Sequence, residues 1–150
     1  MCEELIKKIL VAVDGSDCAQ RALDFALDLA DQYSAEIQLL SVVIPCFLPS
    51  QSMHLVKSEA IDDCINQLKT AFGGYLSEAE EKVKKKKPHL KVSTKLENGD
   101  PSEKIIETAK RANFDIIVMG SRGLGRREYA LGSVSSKVVD NAPCPVLIVK

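Results

Sequence analysis

The 150-residue chain lacks the features that would direct it to a membrane or to nucleic acid. Its net charge is only −1, so no excess of one sign favours a polyanion as an obligate partner. No apolar run approaches the ~20 residues that a bilayer-spanning helix needs. The first four residues, MCEE, do not show the basic-then-apolar pattern of a signal peptide. We therefore expect a cytoplasmic protein whose partners include neither nucleic acid nor membrane.

Motifs for metal or nucleophilic chemistry are also missing. The five cysteines are scattered, no two are spaced as C-x-x-C, and no histidine is placed to complete a zinc knuckle. We expect them to be free thiols. His54 and His89 are isolated and have no partner arrangement of a nucleophilic triad. The single basic block, residues 82–87, has no interleaved aromatics and follows several glutamates, which indicates a solvated helix end.

What the chain does contain is a regular alternation of apolar runs and helical patterns. One stretch, residues 58–87, predicts a long helix with a kink or break at Gly73-Gly74. Asp100 and Pro101 predict the start of a later helix. The apolar runs predict five strands, over residues 9–13, 37–43, 91–96, 115–119 and 145–149.

This order predicts an α/β fold, with one doubly wound domain spanning residues 1–150 and a parallel sheet. Such sheets bind ligands beyond the carboxyl ends of their strands. Asp14 follows the first strand, and a glycine-rich turn containing Gly120 and Gly123 follows the fourth. If these two strands are neighbours, both loops face one crevice.

The residues at these strand ends suit a nucleotide. Gly120 and Gly123 permit positive φ and a close approach to phosphate. Gly132-Ser133 opens the last helix, whose free N–H groups and Ser133 hydroxyl can hold phosphate oxygens. Asp14 can accept from ribose hydroxyls or hold a metal on the phosphates. The end of the second strand, around Val42, offers backbone groups and an apolar wall to adenine.

Each of these elements also has a structural interpretation. Asp14 or Ser16 can simply cap the following helix, and a glycine pair can simply form a turn. Their joint occurrence at the ends of the appropriate strands favours the nucleotide interpretation.

The same motifs, together with a closing Asn-Ala-Pro-Cys-Pro-Val segment, resemble the universal stress protein family from the first strand to the last residue. The resemblance implies sheet order 3-2-1-4-5 and a homodimer, with the ATP-binding branch of the family indicated by the glycine loop. The segments that carry it are residues 9–16, 98–101, 120–123, 131–135 and 143–149.

The family's ATP motif is G, two residues, G, nine residues, then G with Ser or Thr. On this chain the resemblance places it on Gly120, Gly123, Gly132 and Ser133, flanked by Met119 and Val134, with Asp14 as the acid of the first strand and Val42 at the adenine position.

This chain departs from the motif in one respect, because eight residues rather than nine separate Gly123 from Gly132. The ligand can therefore be ATP or AMP. Arg126 and Arg127 lie in this spacer and could reach terminal phosphates.

The resulting hypothesis is a stress-response protein that binds an adenine nucleotide, with Mg or Mn accompanying the phosphates near Asp14, and acts as a regulatory or switch module. Two alternatives remain: an interaction protein of the same fold that binds no nucleotide, and a slow Mg-dependent ATPase. The apolar edge strand around Val146–Val149 predicts homodimerisation.

Overall fold

Strands and helices alternate in the computed structural model, which describes residues 5–45, 57–122 and 131–150. Gly123, Arg126, Arg127 and His54 lie outside these residues. The elements are β1 (Lys8–Ala12), α1 (Asp17–Tyr33), β2 (Glu36–Val43), α2 (Ser58–Lys86), β3 (Val92–Asn98), α3 (Pro101–Arg111), β4 (Ile116–Gly120), α4 (Ser133–Asn141) and β5 (Val146–Val149).

All pairings within the described sheet are parallel, and the strand order is β3-β2-β1-β4-β5. The predicted α/β class and strand order are therefore confirmed. The order arises because β1, at the centre, pairs with β2 on one side and with β4 on the other. The chain thus reverses direction across the sheet between β3 and β4.

Two apolar layers cover the sheet, one on each face. Successive side chains of a strand point to opposite faces, so Ile9 and Val11 pack with α1 and α2, whereas Leu10 packs with α3 and α4. All three side chains are fully buried. Burial on both faces explains why β1 is a continuous apolar run rather than an alternating one.

The long helix α2 is continuous across Gly73 and Gly74, so the predicted break there is wrong. A Cβ atom added to either glycine would meet nothing within 4 Å. No close tertiary neighbour therefore forces the backbone to bend at this point. The intrinsic helix penalty of two glycines, about 1 kcal/mol each, is outweighed by the packing of the helix on the sheet.

Helix starts differ in how their free N–H groups are satisfied. The Ser16 hydroxyl accepts from the Ala19 N–H at 3.2 Å to cap α1. Asp100 accepts from the Glu103 N–H at 3.1 Å to cap α3, and Pro101 occupies its first position, as predicted. Helix α4 begins after Gly132 with no side-chain cap.

The basic block at the end of α2 forms ion pairs with the acidic side of α1. Lys82 and Lys86 lie 2.8 and 2.9 Å from an Asp24 carboxylate oxygen, and Lys87 lies 2.6 Å from one of Asp31. Partial burial acts to raise the pKa of Asp24, but hydrogen bonds and charges from the two lysines outweigh it and lower that pKa. The block thus joins two helices, which supports the structural interpretation of its charge.

Strand β5 forms one edge of the sheet. The Ile117 and Ser121 N–H groups donate to the Pro145 and Val149 carbonyls at 3.0 and 2.8 Å. Backbone groups alternate along a strand, so those of Val146 and Ile148 point away from β4. Both side chains are only half-buried. None of the described helices is long and apolar enough to cross a bilayer.

Candidate functional site

The carboxyl ends of β1 and β4 lie side by side. Leu10 pairs with Ile117 and Val11 with Val118, so Asp14 and the Gly120-Ser121 turn emerge at the same edge of the sheet. This confirms that the first and fourth strands are neighbours. The topological reversal of the sheet therefore falls between the two loops that carry the candidate residues.

Asp14 belongs to the turn that starts α1. The half-buried side chain accepts a hydrogen bond from the Ser16 N–H at 2.9 Å through Oδ1. Ser16 in turn caps α1, so the pair forms a local structure that fixes the direction of the first helical turn. The structural interpretation of both residues thus holds, and a nucleotide role for Asp14 would be an additional one.

The end of β1 is also held from the neighbouring strand. Ser41 of β2 is almost fully buried and its hydroxyl donates to the Val13 carbonyl, while the Val13 N–H donates to the Leu40 carbonyl at 2.8 Å. Two bonds from β2 therefore fix the residue directly before Asp14. Sequence reasoning missed Ser41, because a serine inside an apolar strand gives no indication of what its hydroxyl contacts.

Gly15 adopts φ +80°, in the left-handed region that favours glycine. A Cβ atom at this position would lie 2.7 Å from the ring of Tyr75, which α2 places over the turn. Beside them, between α1 and α2, is a cleft of about 250 Å³ lined by apolar side chains and, at its rim, by Gln20, Glu78 and Lys82. Tyr75 was also missed, since 60 residues separate it from the turn that it covers.

Gly120 is in close contact with the first turn of α1. Positive φ among the described glycines occurs only at Gly15 and Gly99, so Gly120 does not use the positive φ that a glycine permits. A Cβ atom there would instead lie 2.7 Å from the Cβ of Cys18 and 2.9 Å from its carbonyl carbon. The first turn of α1 packs directly on the end of β4 and leaves no space for a side chain.

Met119 and Val42 have their side chains in the core. Each is almost fully buried, in the layer between the sheet and the helices α3 and α4. Val42 pairs with Glu97 of β3. Whatever either residue offers to a ligand must therefore come from its backbone.

The start of α4 has no side-chain cap. Gly132 adopts φ −61° and ψ 160°, the geometry of an N-cap, but contributes no side chain. Among the described residues, the N–H groups of Ser133, Val134 and Ser135 have no acceptor. Ser133 is exposed and Val134 is half-buried against the core. Uncapped N–H groups and the helix dipole together favour an anion here.

The chain leaves the end of β4 and returns at Gly132 to the same point. The Gly132 N–H donates to the Ser121 carbonyl at 2.8 Å, so the residues on either side of the spacer are hydrogen-bonded to each other. The Gly132 N–H is consequently occupied. The first N–H group without an acceptor among the described residues is that of Ser133, one residue later. The shorter spacer is therefore compatible with closure of the loop at its base.

Charged and thiol groups near the site offer no preformed metal centre. Within the described ranges, no group of three or more His, Cys, Asp or Glu side chains could hold a metal ion. Cys18 and Cys144 are free thiols, as expected, and burial followed by the charge of Asp115 raises the pKa of Cys144. Cys64 is disulfide-bonded, which corrects the expectation of a free thiol at that position.

Comparison with known proteins agrees with this geometry. The universal stress protein family model matches residues 5–150. The universal stress protein YxiE of Bacillus subtilis is 38% identical over 150 residues, covering 97% of this chain and 100% of that protein. The solved universal stress protein UspA of Lactobacillus plantarum is 28% identical, with a TM-score of 0.79 and coverage of 97% of this chain and 98% of the other.

Three similar structures hold a nucleotide, each at 25% identity. They are an Arabidopsis thaliana family member with AMP bound (TM-score 0.68, covering 96% and 91% of the two chains), an Archaeoglobus fulgidus member with dAMP (0.67, covering 97% and 99%), and a member with cAMP (0.65, covering 96% of each). The family-model match over nearly the whole chain and the 38% identity are decisive: the chain belongs to the universal stress protein family.

Proposed function

We propose that this protein binds an adenine nucleotide, ATP or AMP, in the crevice at the carboxyl ends of β1 and β4 and acts as a regulatory or switch module. The observation that carries the proposal is the start of α4, which has no side-chain cap and whose Ser133 and Val134 N–H groups, beside the end of β4, have no acceptor among the described residues. Similar proteins with AMP, dAMP or cAMP bound support the class of ligand.

In this arrangement the phosphates lie at the start of α4, held by the Ser133 N–H and hydroxyl and by the Val134 N–H. Gly132 contributes close approach rather than a donor, because its N–H is bonded to Ser121. Asp14 faces the ribose and, where Mg or Mn accompanies the phosphates, supplies one carboxylate oxygen to that ion. The backbone near Val42 and Met119 contacts the base.

The absence of a preformed acidic cluster among the described residues supports a binding module over an efficient hydrolase. Two-metal phosphoryl transfer needs several carboxylates around the ions. Among the described residues, the proposed site offers one, that of Asp14. Nucleotide occupancy would then be the signal that the protein reports. Hydrolysis of the nucleotide would be a separate property.

Calorimetric titration with ATP, AMP and adenosine tests the proposal, together with identification of any nucleotide released when the purified protein is denatured. Ser133→Ala should weaken the binding of phosphate-containing ligands by ~1 kcal/mol or more, because a hydrogen bond to a charged oxygen is lost. Ser136→Ala, one turn further along α4, is the matched control and should bind like the wild type.

Absence of binding heat with all three ligands, and of any released nucleotide, would overturn the proposal in favour of an interaction protein of the same fold. Steady phosphate release with Mg²⁺ that Asp14→Asn abolishes would instead establish an ATPase.

We also propose a homodimer formed through the β5 edge. The outward backbone groups of Val146 and Ile148 provide a row of donors and acceptors for a second copy. Helix α1 lies beside this edge, because the Nε of Arg21 donates to the Lys150 carbonyl at 2.8 Å. Phe25 lies one turn after Arg21 on the same helix and is 57% exposed. An exposed aromatic side chain next to an open strand edge favours an interface.

A further inference from the structure

Ser135 is the one serine in the first turn of α4 that is almost fully buried. It is 2% exposed, whereas Ser133 is exposed and Ser136 is half-buried. Its Oγ lies 2.9 Å from the Ser121 carbonyl oxygen and 3.0 Å from the Gly132 carbonyl oxygen. A hydroxyl has one proton, so the two carbonyls share it.

The Ser121 carbonyl is a fixed point on the sheet. The N–H of the same residue donates to the Val149 carbonyl of β5 at 2.8 Å, which extends the sheet one residue beyond β4. The Ser121 carbonyl then accepts two bonds from the start of α4: one from the Gly132 N–H at 2.8 Å and one from the Ser135 hydroxyl. The helix is thus attached to the strand end by a backbone bond and a side-chain bond.

These two bonds have different consequences. A single bond from Gly132 fixes the distance between helix and strand but leaves the first turn free to rotate about it. A second bond from Ser135, three residues further along, restrains this rotation. The Ser135 hydroxyl therefore helps to set the direction in which the N–H groups of Ser133 and Val134 point, together with the packing of α4 on the core through Val138.

We propose that Ser135 is a positioning residue for phosphate: without contacting the ligand, it orients the first turn of α4 so that the N–H groups converge on one phosphate group. The inference rests on the proposed nucleotide-binding function. Its physical basis is preorganisation, because donors held in place before binding need no ordering when the anion arrives.

The two ligands AMP and adenosine separate this role from a structural one. Loss of the Ser135 hydroxyl should lower the affinity for AMP, which has a phosphate, and leave the affinity for adenosine unchanged. Ser135→Ala should therefore weaken AMP binding by about 3- to 10-fold, on the scale of one ordinary hydrogen bond, with unchanged adenosine affinity. Ser135→Thr keeps the γ-hydroxyl and should restore the AMP affinity.

Calorimetric titration of the full chain with AMP and adenosine, alongside thermal unfolding, is the test. Ser136→Ala is the matched control, since its hydroxyl makes no hydrogen bond to the described residues, and it should leave both affinities unchanged. Equal weakening of AMP and adenosine in Ser135→Ala would overturn the proposal and assign Ser135 a general structural role.

Unchanged AMP affinity in Ser135→Ala would also overturn it. If the wild type and Ser136→Ala bind neither ligand, the proposed function itself fails. That result differs from a failure confined to Ser135, in which both of these proteins bind AMP normally. If Ser135→Ala does not fold, the Ser135→Thr variant and a Ser135→Cys variant, which replaces the hydroxyl with a weaker donor, provide the same comparison.

Discussion

Gly120 and Cys18 are in such close contact that a Cβ atom on the glycine would lie 2.7 Å from the Cβ of the cysteine. Gly132, the other described glycine of the motif, has room: its nearest neighbour would be the Ser121 carbonyl oxygen, at an ordinary 3.4 Å. Two glycines of one motif are therefore glycines for different reasons.

Gly120→Ala should lower the free energy of unfolding by about 1–3 kcal/mol, the usual cost of overpacking, because the contact includes α1 backbone atoms that cannot move aside. Gly132→Ala should change it by less than about 1 kcal/mol. Urea denaturation of the two variants measures the difference. Equal stabilities would contradict the packing role of Gly120.

Gly132→Ala should nevertheless lower the affinity for AMP, by about tenfold or more, if phosphate approaches the helix start as proposed. Calorimetry on the folded variant measures this. Wild-type affinity in Gly132→Ala would place the phosphate elsewhere. Because this variant is expected to keep its stability, a loss of AMP affinity could not be attributed to unfolding.

Gly74→Ala should stabilise the protein by about 0.5–1 kcal/mol. The residue lies inside the continuous helix α2, it is exposed, and a Cβ atom would have open space around it. Denaturant titration measures the gain. Gly99→Ala is the opposite control, since its φ of +136° disfavours alanine and should make that variant less stable. Destabilisation by Gly74→Ala would show that the helix needs a flexible point here.

The strands were predictable because most of them are apolar runs that can be recognised alone, and their alternation with helices indicates a parallel sheet. Their order was predicted from the resemblance to the family. The roles of Gly120 and of the lysines at the end of α2 could not be predicted from the sequence. Gly120 depends on Cys18, about a hundred residues away, and Lys82 and Lys86 depend on Asp24 of another helix. A local pattern identifies which residues are unusual, whereas the contact that explains them requires the fold.

Val146→Pro should convert the proposed dimer to monomer. The Val146 N–H points away from β4, so proline removes an outward donor without breaking the pairing with β4. Phe25→Lys should have the same effect, at an exposed position that contributes little to folding. Sedimentation velocity reports the oligomeric state.

Leu96→Lys is the control for these two variants, because it introduces charge at the opposite edge of the sheet, on β3, and should leave the dimer intact. A dimer that survives both Val146→Pro and Phe25→Lys would rule out the β5 edge as the interface.

Acid should weaken the contact between α1 and α2. A hydrogen bond from Lys87, and next one from His89, lowers the pKa of Asp31 below its ordinary 3.8. A carboxylate whose pKa is lowered by folding stabilises the protein above its unfolded pKa, and this contribution is lost as pH falls through the folded value. The stability difference between wild type and Asp31→Asn should thus be present near neutral pH and vanish in strong acid.

Chemical denaturation of both proteins across that range measures the effect, with circular dichroism to verify that each is folded at the start of the titration. A difference that is independent of pH would mean that Asp31 acts through packing rather than through its charge.

The central position of β1 has a consequence for how the protein folds. One neighbour, β2, follows within about thirty residues, but the other, β4, begins more than a hundred residues later. During synthesis β1 therefore has one open side until most of the chain has emerged, and contacts so distant in sequence form slowly. Because the crevice lies at the junction of β1 with β4, we expect the proposed nucleotide site to be among the last features that the newly made chain completes.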